Sequence, residues 1–140
     1  ICSKSIIVNL NFEKFNKMTD IETREDILLI IRNFYERLLK DQSINFFFTQ
    51  ATHVDQHLEE HFETLATFWE QGLFLKGGYS NNMFQIHKDI HDKHPFTHEH
   101  FEIWLDHFYT SITESFEGNK ADQMKTMALN MATVMKIKFA

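Results

Sequence analysis

The 140-residue sequence has one cysteine, one proline and four glycines, and it has no long run of apolar residues. The lone Cys2 excludes a disulfide within the chain, which is typical of a reducing compartment and predicts a cytoplasmic protein. The longest aliphatic run, residues 27–31, is far too short to cross a bilayer. The first ten residues lack the core and the cleavage pattern of a signal peptide. We therefore expect no membrane partner.

Positive charge is also in the minority, since 14 Lys and Arg residues face 20 Asp and Glu residues and leave a net charge of -6. Nonspecific binding to nucleic acid depends on cationic side chains that neutralise phosphates. The charge balance therefore argues against nucleic acid as a partner.

The length predicts one domain with a sizeable core. In "KMTDIETREDI", Met18 stands just before a helix-start signal. We therefore expect residues 1–17 to be an N-terminal extension or an expression remnant, and residues 18–140 to form the domain.

Apolar residues recur with helical spacing along most of the chain, whereas no stretch alternates with period two. The spacing predicts helices over residues 23–40, 54–74 and 83–92, a helix capped by Thr97, and a last helix after Gly118. Thr19 and Glu22 make a possible capping box, which would start the first helix slightly earlier. The Phe-rich segment around residues 46–48 is expected to form a corner. The predicted fold class is all-α.

Four side chains with polar tips fall on the apolar faces of four predicted helices: Tyr35, His61, His87 and Trp104. Any one of them alone is more often a core residue whose tip finds a backbone carbonyl or a water. An unpaired buried polar group costs about 1–3 kcal/mol, so all four need partners. Four on one small domain favour a shared cavity with polar groups inside it.

A zinc site and a di-iron site are two candidates for such a cavity. "HVDQHLEEH" and "HKDIH" contain His pairs at i, i+4, but there is no cysteine cluster, and "HLEEH" lacks a Glu directly after its first His. For His53 and His57 a solvated helix face is the simpler interpretation. His98 and Glu102 form an HxxxE pair that, beside the HxxxH pairs, suggests a hemerythrin-like di-iron protein. That interpretation remains the alternative.

Haem is the third candidate. It requires one neutral imidazole as axial ligand, an apolar slot and a few hydrogen-bond donors. The chain supplies an inward His87, many Phe, Leu, Ile and Met residues, and Tyr35, His61 and Trp104 as donors.

Three segments, "NFYERLLKD", "EEHFETLATFWEQGLF" and "HPFTHEHFEIWLDHFYTSI", resemble the truncated haemoglobins, and most closely their group III branch. The resemblance covers about residues 20–139, with the segments in family order and spacing. It implies a truncated globin fold, a two-over-two helical sandwich around haem b (protoheme IX).

The resemblance also implies roles for individual residues. Tyr35, His61 and Trp104 match the distal residues that contact a bound ligand, and His87 matches the proximal iron ligand, whose other ring nitrogen we expect to donate to a backbone carbonyl. Phe48 matches the corner phenylalanine. With their neighbours, these positions give a predicted haem pocket that comprises Tyr35, Phe48, His61, Phe62, Leu65, Trp69, Met83, Ile86, His87, Ile90, His91, His94, Phe96, Phe101 and Trp104.

One departure from the family pattern leaves a choice of proximal ligand. The segment "HDKH" lengthens the corner after His87, so His91 is also possible. His87 is favoured because its helical stripe is apolar, whereas His91 is followed by Asp92 and Lys93. In that arrangement His91 and His94 are expected at the haem edge, where an imidazolium could pair with a propionate.

The resemblance implies binding of O2, NO or other diatomic ligands. Several hydrogen bonds to bound O2 would slow its release. Ligand sensing, NO detoxification or peroxide chemistry then suits the site better than transport, and NO turnover would need an electron donor such as a reductase. The sequence leaves open whether the protein is an enzyme or a binding protein.

Overall fold

The computed structural model describes residues 18–139, so the predicted N-terminal extension lies outside the described residues. Within that range the chain forms five α-helices and two short 3-10 turns. The helices are α1 (Arg24–Lys40), α2 (Leu58–Phe74), α3 (Met83–Lys93), α4 (His98–Thr113) and α5 (Asn119–Phe139). The 3-10 turns, Asn45–Phe48 and Val54–Gln56, lie between α1 and α2. Over the same range the β-type pairing is one isolated bridge between Thr19 and Phe116. The all-α prediction is confirmed.

The first helix begins with a different cap from the one predicted. Thr23 accepts from the backbone N–H of Asp26, whose carboxylate accepts from the Thr23 N–H, so these two residues form the capping box. The Thr19–Glu22 box is wrong, because the Thr19 carbonyl accepts instead from the Glu117 N–H of the bridge. The chain before Thr23 is therefore used for a long-range contact and does not start a helix.

The other predicted bounds shift by only a few residues. The helix expected from residue 54 begins at Leu58. The 3-10 turn Val54–Gln56 precedes it, and His53, directly before that turn, has a left-handed φ of 58°. The third helix ends at Lys93, one residue beyond its prediction. Thr97 caps α4 as predicted, with His100 completing the capping box.

The helices pack as two layers. Helix α1 packs on both α2 and α4, and α4 packs along α5. The core between them is aliphatic and aromatic, with Ile27, Ile31, Leu38, Phe108 and Ile112 almost fully buried. This is the two-over-two arrangement that the resemblance implied.

Polar and charged side chains at the two ends of α1 tie this helix to α2 and to α4. The Arg24 guanidinium binds both Glu63 and the buried Glu70, which joins the start of α1 to α2. At the other end of α1, Asp41 binds His107 of α4 at 2.6 Å. The Ser43 hydroxyl and the His107 ring lower the pKa of Asp41 to about 2, so this carboxylate is charged at neutral pH.

The turn before α5 depends on Gly118. This residue has a φ of 150°, and a Cβ atom added to it would lie 2.5 Å from Cγ of Asp20. That carboxylate accepts from the backbone N–H groups of Lys120 and Ala121 and so caps α5. A side chain at position 118 would therefore strain the backbone and displace the cap.

We expect Gly118→Ala to lower the free energy of unfolding by about 2–3 kcal/mol, because it adds both a disfavoured φ and a clash with the capping carboxylate. Urea denaturation followed by circular dichroism measures the change. Gly77→Ala is the matched control, since an added Cβ there meets nothing within 4 Å. Equal stability of the two variants would contradict this account of the turn.

Candidate functional site

A cavity of about 370 Å³ lies between the helices and is lined mostly by apolar side chains. Its volume falls within the range of about 300–1,000 Å³ that is usual for small-molecule sites. All five helices and the corner after α1 contribute to its wall. The lining residues are Ile31, Phe34, Tyr35, Ile44, Phe47, Phe48, Thr52, Val54, His61, Thr64, Leu65, Phe68, Trp69, Tyr79, Asn81, Met83, Ile86, His87, Ile90, Phe96, His100, Phe101, Trp104, Phe108, Met131, Ala132 and Met135.

Tyr35 of α1 and His61 of α2 meet at this cavity. The Tyr35 hydroxyl lies 2.6 Å from Nε2 of His61. Burial raises the pKa of the Tyr35 hydroxyl, so it keeps its proton. Burial lowers the pKa of His61, and the nearby His87 lowers it further, so the imidazole stays neutral. A neutral phenol and a neutral imidazole share one hydrogen bond, and the tautomer of the His61 ring decides which of the two donates.

Aromatic side chains surround Tyr35 and hold its ring in place. Phe34, Phe48 and Phe62 all meet it edge to face, with ring centroids 5.5, 5.4 and 5.3 Å away. Such T-shaped contacts are the favoured geometry of aromatic pairs. The hydroxyl is therefore fixed in direction before any ligand arrives.

His87 reaches the cavity from α3. Its Nδ1 lies 2.7 Å from the Met83 carbonyl of the preceding turn and donates to it. Burial lowers the pKa of His87, although the Met83 hydrogen bond opposes this. With the proton held on Nδ1, the lone pair on Nε2 is the one that a metal or a donor in the cavity can use.

Trp104 of α4 completes the polar set. It packs edge to face on Phe34 at 5.6 Å and stacks on Phe108 at 5.4 Å, and Phe108 stacks in turn on Trp69. Among the described residues, its indole N–H has no hydrogen-bond acceptor, so this donor is available to a ligand.

Twelve of the fifteen residues predicted for the pocket lie on the cavity wall: Tyr35, Phe48, His61, Leu65, Trp69, Met83, Ile86, His87, Ile90, Phe96, Phe101 and Trp104. Their roles in binding a cofactor stay predictions. The structure does not bring the other three, Phe62, His91 and His94, to the wall. Phe62 lies behind Tyr35 and beneath the Arg32 guanidinium. The reason is helical phase for Phe62. His91, in the last turn of α3, is held by Phe96, and His94, in the corner after α3, packs on Phe46.

The position of His91 bears on the choice of proximal ligand. Its Nδ1 accepts from the Phe96 N–H at 2.9 Å, and its ring stacks on Phe96 and packs against Phe139. His94 packs edge to face on Phe46. His87 is therefore the histidine of α3 that lies at the cavity.

Several polar lining residues were missed from the sequence, and they come mainly from corners: Thr52, Thr64, Tyr79, Asn81 and His100. The residues on either side of a turn cannot be placed by helical periodicity. Thr64 and His100 are exceptions, since Thr64 lies three residues after His61 in α2 and His100 lies four residues before Trp104 on the same face of α4. That spacing was a usable signal.

Among residues 18–139, no group of three or more His, Cys, Asp or Glu side chains is placed to hold a metal ion. The di-iron alternative thus finds no ligand set in this part of the chain. In the same residues, no helix combines the length and the apolar character needed to cross a bilayer.

Comparison with known proteins bears out the resemblance. No family model matches the chain. The chain is 28% identical over 131 residues to the group 3 truncated hemoglobin ctb of Campylobacter jejuni. The aligned residues cover 93% of this chain and 92% of that protein. A crystal structure of a group III truncated hemoglobin from Campylobacter jejuni matches with a TM-score of 0.79 at 25% identity, over 89% of this chain and 96% of that one. The fold is the truncated globin fold, and the similarity to the group III branch is confirmed.

The two part-buried imidazoles, His61 and His87, predict a pH dependence of the stability of the ligand-free protein. A histidine with a lowered pKa binds its proton more weakly in the folded chain than in the unfolded chain, where the pKa is about 6.5. As the pH falls below about 6.5, the unfolded state takes up protons first and the free energy of unfolding should fall. We expect His87→Leu to reduce this fall, as measured by urea denaturation between pH 7 and pH 5. An unchanged slope in His87→Leu would contradict burial of a neutral His87.

Proposed function

Because this chain has the truncated globin fold and resembles the group III truncated haemoglobins, we propose that its cavity binds haem b and that the protein thereby binds O2, NO or a similar diatomic ligand. One observation carries the proposal. An imidazole with a free Nε2, a Tyr–His pair and an indole N–H reach one apolar cavity from four different helices.

The residues of the cavity fit this cofactor. A haem needs an apolar slot, one neutral nitrogen ligand and few charges in the plane of the macrocycle. No Lys, Arg, Asp or Glu is among the lining residues. His87 is the lining histidine whose Nδ1 is committed to its own helix.

A bound haem supplies an iron that can hold a diatomic ligand. Within the chain, Nε2 of His87 would be the atom that holds the iron. The hydrogen bond from Nδ1 to the Met83 carbonyl fixes the tautomer and the ring orientation, as a hydrogen bond to the second ring nitrogen usually does for a metal-bound histidine. His91 is left out of this role because it lies away from the cavity.

On the ligand side, Tyr35, His61 and Trp104 act as the polar residues. The Tyr35 hydroxyl can turn from His61 Nε2 to a ligand without moving its ring. The Trp104 N–H has no acceptor among residues 18–139 and can therefore donate to a ligand. A hydrogen bond to a charged acceptor contributes about 1.5–3 kcal/mol, which corresponds to roughly one to two decades in dissociation. Several such donors favour retention of the ligand.

Strong retention suits ligand sensing, NO detoxification or peroxide chemistry better than O2 transport. A catalytic role in NO turnover needs electrons, so a reductase is the partner that we propose for it. The single Cys2 favours the reducing cytoplasm as the compartment.

The absorption spectrum of the purified protein tests the cofactor and its ligand. We expect a Soret band after expression or after haem addition. His87→Gly should lose haem or recover it only with free imidazole, because the substitution removes the axial nitrogen.

His91→Gly is the matched control and should keep the wild-type spectrum. No Soret band after haem addition would overturn the haem proposal, and about two non-haem irons per chain would favour the di-iron alternative. Imidazole rescue of His91→Gly in place of His87→Gly would reverse the ligand assignment.

Removal of the Tyr35 hydroxyl tests the ligand side. Tyr35→Phe should speed O2 dissociation by about tenfold or more, because one hydrogen bond to the ligand is lost. Stopped-flow displacement of O2 by CO measures the rate. Tyr109→Phe is the control, since that hydroxyl donates to the Lys125 carbonyl outside the cavity. Equal rates in the two variants would remove Tyr35 from ligand binding.

A further inference from the structure

The ring of His100 lies on the cavity wall, yet neither iron binding nor ligand binding uses it. The ionisable lining residues are Tyr35, His61, Tyr79, His87 and His100. Tyr35 and His61 bind each other, and His87 donates to its own helix. His100 is thus the remaining imidazole of the cavity.

The capping box of α4 fixes the ring of His100. The Thr97 N–H donates to Nδ1 of His100 at 2.9 Å, so Nδ1 must carry a lone pair. The proton of the neutral ring is then on Nε2, which acts as a donor. An edge-to-face contact with Phe47, at 4.8 Å between centroids, holds the ring from one side. Burial lowers the pKa of His100, which favours this neutral, donating form, although Glu99 opposes the effect.

The cavity has apolar walls and no cationic lining residue, so a carboxylate on a ligand would find few partners there. Haem b has two propionate groups on one edge of an otherwise apolar macrocycle. We propose that Nε2–H of His100 donates to a propionate of the porphyrin, which makes His100 a binding residue that sets the orientation of the ring. This inference rests on the proposed haem function.

The histidines expected in this role from the sequence are less suitable. His91 uses Nδ1 for the Phe96 N–H and stacks on Phe96, away from the cavity. His94 packs on Phe46 and is not a lining residue. The predicted histidine–propionate pair therefore moves from the corner after α3 to the first turn of α4.

The test compares two metal-free porphyrins on the full chain freed of bound pigment. Protoporphyrin IX has the two carboxylates, and its dimethyl ester lacks their charge. Without iron, the bond to His87 does not contribute. The affinity for the porphyrin then depends on its contacts with the apolar lining and on the hydrogen bonds to its carboxylates. Trp69 and Trp104, the two tryptophans of the chain, both line the cavity, and quenching of their fluorescence measures binding.

The informative substitution is His100→Glu. Glutamate at this position of a capping box accepts the same N–H, so the helix start is kept while the donor becomes a negative charge. We expect the Kd for protoporphyrin IX to rise about tenfold and the Kd for the dimethyl ester to stay the same. His94→Glu is the matched control with the same charge change and should alter neither value.

If His100→Glu raised the Kd of both porphyrins equally, the residue would have a merely structural role and the proposal would be overturned. No weakening of either, or an acid-specific effect of His94→Glu in its place, would also overturn it. In each of these cases the haem site itself stands, because the unsubstituted chain binds porphyrin. Failure of the unsubstituted chain to bind either porphyrin would contradict the haem proposal as well.

Discussion

The structure depends on burying polar ring groups without leaving them unpaired. Tyr35 is only 5% exposed, and its hydroxyl would be costly to bury alone. His61 on the facing helix supplies the partner, and so the crossing of α1 over α2 must keep these two tips 2.6 Å apart. Arg24, at the start of α1, binds Glu63 and Glu70 of the same facing helix and links the two helices nearer the surface.

The third helix is held in a different way. No residue of α3 is fully buried, and Phe84 and Ile86 are exposed. Its apolar side faces the cavity, where His87 lies on the wall, and the end of α5, where Phe84 stacks on Phe139. Under the proposed function, a macrocycle in the cavity would supply further apolar surface for α3 to pack on. Cofactor binding would then strengthen the docking of α3, and Nε2 of His87 would be the atom of this helix that binds the iron.

Much of this site could be predicted because helical phase is a local property. Apolar neighbours at i, i+3 and i+4 turned His61 and His87 inward, and both lie at the cavity. Phe62 shows the limit of the argument. It is buried next to His61, but its phase carries it behind Tyr35 rather than into the cavity.

By itself, the sequence determined that the chain is helical, roughly where its five helices lie, and which of their faces turn inward. These follow from spacing over one or two turns, together with caps such as Thr97. Only the tertiary structure decided what the corners do. His91, His94 and His100 lie within ten residues of one another, yet His100 alone reaches the cavity. The reason is that the residues on either side of a corner follow the distant residues that pack against them, here Phe46, Phe47 and Phe139. The spacing of His100 and Trp104 indicates a shared helix face, but it does not indicate these contacts.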